Sequence, residues 1–324
     1  MKKLSVALAL VGLAVGTALV GSFGFRDVAQ AVASAGWRGL AAVCVWQLVI
    51  FVPLGLAWDQ LARIRGTARP LVFLWARMVR DTATNILPFS TIGGFVFGAR
   101  ALTVHGIGWP VATATTVVDI TAEFLAEVGF VALGVIILLA HVPHAHAVSA
   151  SVEIGLGFAI LGIVLFVWAQ RGAAPAFERI AARIAARRLG GARRGMAALN
   201  EELAELYRRP GRLLVCFLLH FVGWILSGMG DWVAYHAIGL PIDVDNAIAI
   251  EALLSGVSAA AFLVPVNAGV QEAGYAGFGA LFGIPADLSL AVSLLRRARD
   301  ITIGVPVLLL WQLFEARRLR AATG

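Results

Sequence analysis

Apolar residues run almost unbroken through residues 4–23, 39–58, 110–140, 148–170 and 212–237, and a last helix at 286–312 is apolar around the cluster Arg296-Arg297-Ala298-Arg299-Asp300. A helix needs ~20 such residues to cross a ~30 Å hydrocarbon layer, so the pattern predicts six full transmembrane helices. Between them lie a polar connector at 24–38, a basic loop at 59–69, a tight turn at 141–147 and a long segment at 171–211. That last segment repeats Ile180, Ile184, Leu199, Leu203 and Leu206 at helical spacing among arginines. It predicts an amphipathic helix pair on the membrane surface. Two stretches fit no clean span. Residues 71–109 contain Arg77, Arg80, Asp81, Asn85, Pro88, Gly93, Gly94 and Arg100. Residues 247–285 contain Pro265, Asn267, Gly269, Gln271 and Glu272. Backbone broken by Pro and Gly survives at membrane depth only where protein or a wet cavity satisfies it.

Composition excludes the soluble classes. The chain is 60% hydrophobic and 14% charged, with a mean hydropathy of +0.87. The apolar runs are too long and continuous for a transmembrane β-barrel. A net charge of +7 would point to nucleic acid in a soluble protein. Here the basic residues sit in loops, where the cytoplasmic anionic leaflet is the expected partner. Met1-Lys2-Lys3 and the run after it could be a signal peptide, with Ala33-Ser34-Ala35 as a cleavage site. The run exceeds the ~7–15 residues of a signal-peptide core, so an uncleaved anchor is expected. Trp37, Trp58, Trp109, Trp168, Trp232 and Trp311 flank the spans, as interfacial belts do. Cys44 and Cys216 lie inside separate apolar runs and read as small core residues rather than a disulfide or metal site.

Charge sets the topology. Lys2, Lys3, the Arg63/Arg65/Arg69 loop, the ten arginines of 171–212 and the tail Arg317-Arg318-Leu319-Arg320 are expected in the cytoplasm by the positive-inside rule. Both termini are then cytoplasmic, in a bacterial inner membrane. The turns at 141–147 and 238–247 hold no Lys or Arg and face outward. By parity, residues 71–109 leave on the side where they started, and so do residues 247–285. The expectation is two oppositely oriented re-entrant helical hairpins. The halves also echo each other. Pro88 and Gly106-Ile107 are spaced like Pro265 and Gly283-Ile284, and Asp119-Ile120-Thr121 matches Asp300-Ile301-Thr302. Unit 39–140 and unit 212–312 thus form an inverted repeat within one membrane domain, joined by the basic connector 171–211. In transporters of this design the site lies near the midplane between repeats.

Ionisable groups at membrane depth are costly and face partners or a wet cavity. Asp119, Glu123 and Glu127 recur every four residues and share one helix face. Arg77–Asp81 and Arg296–Asp300 are i,i+4 pairs. Glu127 and Glu251 read as groove lining or scaffold. Glu153 and Asp231 lie close enough to span ends for interfacial solvation. His141, His144 and His146 share one short turn; a solvated loop is favoured there over a zinc site.

These residues resemble the lysylphosphatidylglycerol synthase transmembrane-region family. Its second half carries Pro-Gly-Gly-x-Gly-x-Arg-Glu and a small residue, which stands here as Pro265-Val266-Asn267-Ala268-Gly269-Val270-Gln271-Glu272-Ala273. An arginine of its next helix matches Arg296 or Arg297. Pro88, Gly93, Gly94 and Arg100 resemble the first-half pattern. Val266-Asn267 replaces the glycine pair and Gln271 an arginine, which bears on the headgroup. The chain is similar to the stand-alone, hopanoid-biosynthesis-associated branch. No catalytic domain follows the last span, so the resemblance implies lipid translocation rather than synthesis.

The implied activity is movement of a polar-headed lipid, a hopanoid or an anionic or aminoacylated phospholipid, between leaflets. Arginine forks suit phosphate and carboxylate. Arg100, Arg296, Arg297, Arg299, Gln271 and Asn267 are the candidate substrate ligands, with Glu272. Asp119, Glu123 and Asp300 would orient the groove or carry a coupling proton. Pro88, Gly93, Gly94, Pro265 and Gly269 mark the hairpin tips. No cofactor, metal or nucleic acid is implied. Hopanoid-biosynthesis enzymes and a second copy of the chain are the further partners left open. Two other readings stay open: an intramembrane enzyme modifying a lipid headgroup, and a scaffold of a hopanoid biosynthesis complex. The charges themselves could equally be buried ion pairs that hold the repeats together. The chain has no HExxH, GxSxG or nucleotide-binding glycine loop.

Overall fold

The computed structural model describes residues 25–63, 66, 69–87, 90–141, 191–260 and 269–321. The predicted spans 4–23 and 148–170, the connector 171–190, and Pro88, Pro265, Asn267, His144, His146 and Trp168 lie outside them. Among the described residues the elements are helices: α1 Phe25–Ala62, α2 Pro70–Ile86, α3 Ser90–Val104, α4 Trp109–His141, α5 Gly191–Tyr207, α6 Pro210–Ala237, α7 Val244–Ala260, α8 Val270–Leu281 and α9 Ala286–Ala321. Three carry runs long and apolar enough to cross a bilayer: Ala33–Ala62, Trp109–His141 and Pro210–Ala237. The chain is a polytopic α-helical membrane protein.

The expected connector at 24–38 is itself helical from Phe25. Gly36, at φ 67°, kinks the helix there, because glycine alone takes a positive φ without steric cost. The last helix runs well past 312 into the basic tail.

The two broken stretches are helical hairpins. Helices α2 and α3, of 17 and 15 residues, pack against each other. Helices α7 and α8, of 17 and 12 residues, do the same. At ~1.5 Å per residue, none of the four matches a ~30 Å layer. Contacts fix the ends of each hairpin. Arg69 Nη1 donates to His105 O at 2.9 Å, Arg318 Nη1 to Thr103 O at 2.7 Å, and Arg212 Nη1 to Gln60 O at 3.0 Å. So α2 starts and α3 finishes at the end of the bundle that holds these arginines. At the other end, Gly39 packs on Ala237, and His141 lies 3.1 Å from Asp245 and edge-on to Phe282. There α7 starts and α8 finishes. The hairpins therefore start from opposite ends.

The packing has an internal correspondence, α1 with α6, α2 with α7, α3 with α8 and α4 with α9. The contacts α1–α2, α2–α3, α3–α4, α4–α6 and α4–α7 have counterparts α6–α7, α7–α8, α8–α9, α9–α1 and α9–α2, around a central α1–α6 crossing. The turns after α3 and α8 are also alike. Gly106 (φ 88°) and Gly283 (φ 73°) each donate to a carbonyl three residues back, and Ile107 and Ile284 to one five residues back. Each is a left-handed glycine cap, and α4 and α9 both begin three residues after it. Counting from these caps corrects the tripeptide echo. Asp119 and Arg296 are both thirteen residues past the cap glycine, and Glu123 and Asp300 both seventeen. Asp119 is therefore the counterpart of Arg296, not of Asp300; the echo is one helical turn out of register.

Helix α5 departs from the surface-bound expectation. Leu199 and Leu206 are buried against Ala57, Leu61, Val118, Ala122 and Cys216, so its apolar stripe seals the bundle instead of resting in lipid. Trp58 and Trp311 are not belt residues either. Trp58 is wholly enclosed and packs edge-on to Phe73, and Trp311 is buried against Phe97.

Close crossings depend on missing side chains, as is usual where membrane helices approach. A Cβ at Gly55 would stand 2.7 Å from the Leu74 Cα, and one at Gly228 2.8 Å from the Ile248 Cα, the same crossing in each half. Gly55→Ala is expected to destabilise by about 1–3 kcal/mol, since backbone must move. Gly93→Ala, with nothing within 4 Å of its Cβ, is expected to be neutral or to stabilise by up to ~1 kcal/mol. Thermal unfolding of the two variants in the same detergent checks the contrast.

Candidate functional site: two buried charge networks

The first network joins α2, α4 and α6. Arg77 and Arg80, three residues apart, share a face of α2; Asp119 and Glu123, four apart, share a face of α4. Arg77 Nη1 donates to Glu123 Oε2 at 3.0 Å and its Nη2 to Oε1, a bidentate fork, while its Nε donates to Asp81 at 2.8 Å. Arg80 donates to Asp119 Oδ2 at 2.6 Å and to Glu123. His220 Nε2 lies 2.9 Å from the other oxygen of Asp119. The Arg80 guanidinium rests over Phe95 at 4.9 Å and Trp58 at 5.8 Å, a cation–π arrangement. Trp58 in turn donates to Thr115 Oγ1 at 3.2 Å. Asp119 and His220 have no exposed surface.

The second network joins α6, α7, α8 and α9. Arg296 Nη1 donates to Asp231 Oδ1 at 2.6 Å, and both its terminal nitrogens reach Glu251. The Tyr275 hydroxyl lies 2.9 Å from each Asp231 oxygen and touches Arg296. Ser227 Oγ donates to Glu251 at 2.6 Å. The polarity is reversed relative to the first network. There the hairpin helix α2 carries the cations and the long helix α4 the acids; here α7 carries Glu251 and α9 the arginine.

Beside the second network lie smaller pairs. Arg297 Nε is 2.5 Å from Glu272 Oε1, and Glu272 Oε2 accepts the Gly269 N–H at 2.8 Å, capping α8. Gln271 Nε2 donates to Ser293 Oγ at 3.3 Å. Arg299 pairs with its neighbour Asp300 at 2.7 Å. Asp300 lines a crevice with Gln47, Phe51, Thr82, Asn85 and Ile303.

Of the sequence-predicted site residues, Asp119 and Glu123 thus meet in the first network. Glu272, Gln271, Arg296, Arg297, Arg299 and Asp300 gather along α8 and α9. Arg100 is not among them: it is 44% exposed and pairs with Glu315 of α9. Arg296 does not pair with Asp300, its i,i+4 neighbour, because Asp231 and Glu251 hold it. Asp231 is not solvated at an interface but wholly buried. Glu251, expected as groove lining or scaffold, is a direct partner of Arg296. Tyr275, His220 and Ser227 were missed, and no spacing in the sequence could pair them with acids on other helices. Arg77–Asp81 pairs as its spacing predicts. Gly269 immediately precedes α8, whereas Gly93 and Gly94 are the fourth and fifth residues of α3 rather than a hairpin tip.

Asp119, Cys216 and His220 bring three ligand atoms within 4.8 Å of one another. Arg80 and Arg77 stand 2.6 and 3.6 Å from the remaining oxygen of Asp119. Two guanidiniums at that range oppose a dication, so the donor set does not fit a metal well.

A family described as lysylphosphatidylglycerol synthase TM region matches residues 4–309. The chain belongs to this family. Membership gives it a membrane location and a lipid-related role. No curated protein and no solved structure matches it.

Proposed function

We propose that the chain is a lipid translocase, moving a polar-headed lipid between leaflets through a groove between two re-entrant hairpins. The observation that carries this reading is the pair of buried networks, one on each hairpin, in a bundle whose hairpins start from opposite ends. Ionisable groups placed inside an apolar bundle are usually functional. Oppositely oriented repeats with broken helices are a transporter design. The lipid itself is left unchanged, so the chain acts as a carrier and not as an enzyme. Its cargo is a hopanoid or an anionic or aminoacylated phospholipid, whose phosphate or carboxylate would exchange with the acid partners of the arginines. The bundle end gathering Arg69, Arg212 and Arg318 faces the cytoplasm under the positive-inside rule, in an inner membrane.

The Arg297–Glu272 pair is the one to test first, because Glu272 is partly exposed. Glu272→Gln is expected to slow translocation at least ~10-fold while costing about 1–3 kcal/mol of stability, since Arg297 is buried and keeps a neutral acceptor. The assay uses purified protein in liposomes with head-labelled lipid. It reads the exposure of inner-leaflet label to an impermeant quencher. Equal rates for native and variant chains would remove Glu272 from the pathway. No exposure of any anionic, zwitterionic or isoprenoid lipid with the native chain would reject translocation.

A further inference from the structure

Three carboxylates share one face of α4, and among the described residues two of them have arginine partners. Glu127, one turn past Glu123, makes no hydrogen bond or ion pair with the described residues. It is partly buried, one helical turn from Glu123 of the first network, on the helix that packs against α7, the element carrying Glu251 of the second. Among the described side chains, no cation of the helices packed on α4 is paired with Glu127. On α2, Arg77 and Arg80 are committed to Glu123, Asp119 and Asp81. On α6, His220 faces Asp119. Glu251 of α7 is bound by Arg296 and Ser227. Arg100 of α3 is held by Glu315, Asp59 of α1 by Arg63, and Glu205 of α5 pairs with Arg209. An ionised carboxylate one turn from another acid, with no cation paired to it among the described residues, is costly in a membrane interior.

We infer that Glu127 is a proton-binding site between the two networks, and that lipid movement is coupled to its loading. The second half rests on the translocation reading; the first does not. Loading forms one O–H bond from an aqueous proton and converts the carboxylate to a neutral carboxyl. Unloading returns the same proton to water. In the loaded state α4 and α7 can close over an uncharged side chain. In the unloaded state Glu127 becomes a free acceptor that competes with Glu123 and Glu251 for their arginines. That competition links proton occupancy to the networks that would hold a headgroup.

Two readouts test this on the full chain in phosphatidylethanolamine–phosphatidylglycerol vesicles. The first is the infrared difference spectrum between alkaline and acid buffer. The native chain is expected to gain a protonated-carboxyl band that Glu127→Gln lacks and Glu127→Asp shifts. The Asp variant keeps the carboxyl and guards against a folding artefact. An unchanged band in Glu127→Gln overturns the site. The second readout is the leaflet distribution of labelled lipid under a pH gradient. The native chain is expected to shift it up to about tenfold per pH unit for one proton per lipid, and Glu127→Gln not at all. A native distribution that ignores the gradient while the band is intact overturns the coupling. Absence of any lipid movement rejects translocation, and the band then still decides the proton site.

Discussion

Replacing Arg296 by methionine is expected to cost ~3–5 kcal/mol of stability, the usual penalty for stranding buried charges. Methionine keeps the stem and its apolar contacts but removes the only guanidinium that reaches both Asp231 and Glu251 among the described residues. Those carboxylates are left with hydroxyl donors, Tyr275 and Ser227, which carry no compensating charge. A second variant separates architecture from function. Arg296→Met with Glu251→Gln and Asp231→Asn removes the charges together, and neutralised buried pairs are often no less stable than the originals. Steric-trapping or thermal unfolding is expected to show most of the lost stability restored. Translocation is expected to stay lost. If the triple variant recovers both, the network is a scaffold and the translocase reading loses its support. If Arg296→Met alone unfolds like the native chain, the network contributes nothing to stability.

Hydropathy was enough to locate three long helices of the bundle, because bilayer thickness imposes a run length that soluble folds do not. Spans 39–58, 110–140 and 212–237 fall inside α1, α4 and α6. The division of each hairpin into two helices was legible because Pro and Gly interrupt the apolar runs at 87–94 and 264–274. The side-chain partners were not legible. A local rule pairs Arg296 with Asp300 across one helical turn, but the charges that hold it lie 65 and 45 residues away. Coulomb attraction is blind to sequence separation, and only the fold ranks the candidates. Tryptophans misled for a related reason. Position near a span end is the same for a residue facing headgroups and for Trp58, which the α2–α3 hairpin covers. The same holds for α5: an apolar stripe on a basic helix suits a lipid surface and a bundle crevice equally well.

The first network should respond to Glu123→Gln as the second does to Arg296→Met, if the halves are functional counterparts. Glu123 receives both Arg77 and Arg80. Its neutralisation leaves two guanidiniums to share Asp119 and Asp81, and a loss of about 3 kcal/mol or more is expected. Asp81→Asn removes a partner of Arg77 alone, at a partly exposed position, and is expected to cost about 1 kcal/mol. A double-mutant cycle of Arg80→Met with Glu123→Gln isolates the pair, with a coupling energy of ~0.5–3 kcal/mol expected for groups in one network. Translocation supplies the sharper comparison. In an inverted repeat the groove must be released first toward one face and then toward the other. Breaking either network then stops the cycle, and Glu123→Gln and Arg296→Met should be about equally inactive. A chain that tolerates Glu123→Gln but not Arg296→Met would have one working half and one that only supports it. The reversed polarity of the two networks would then be a packing solution rather than a pair of alternating latches.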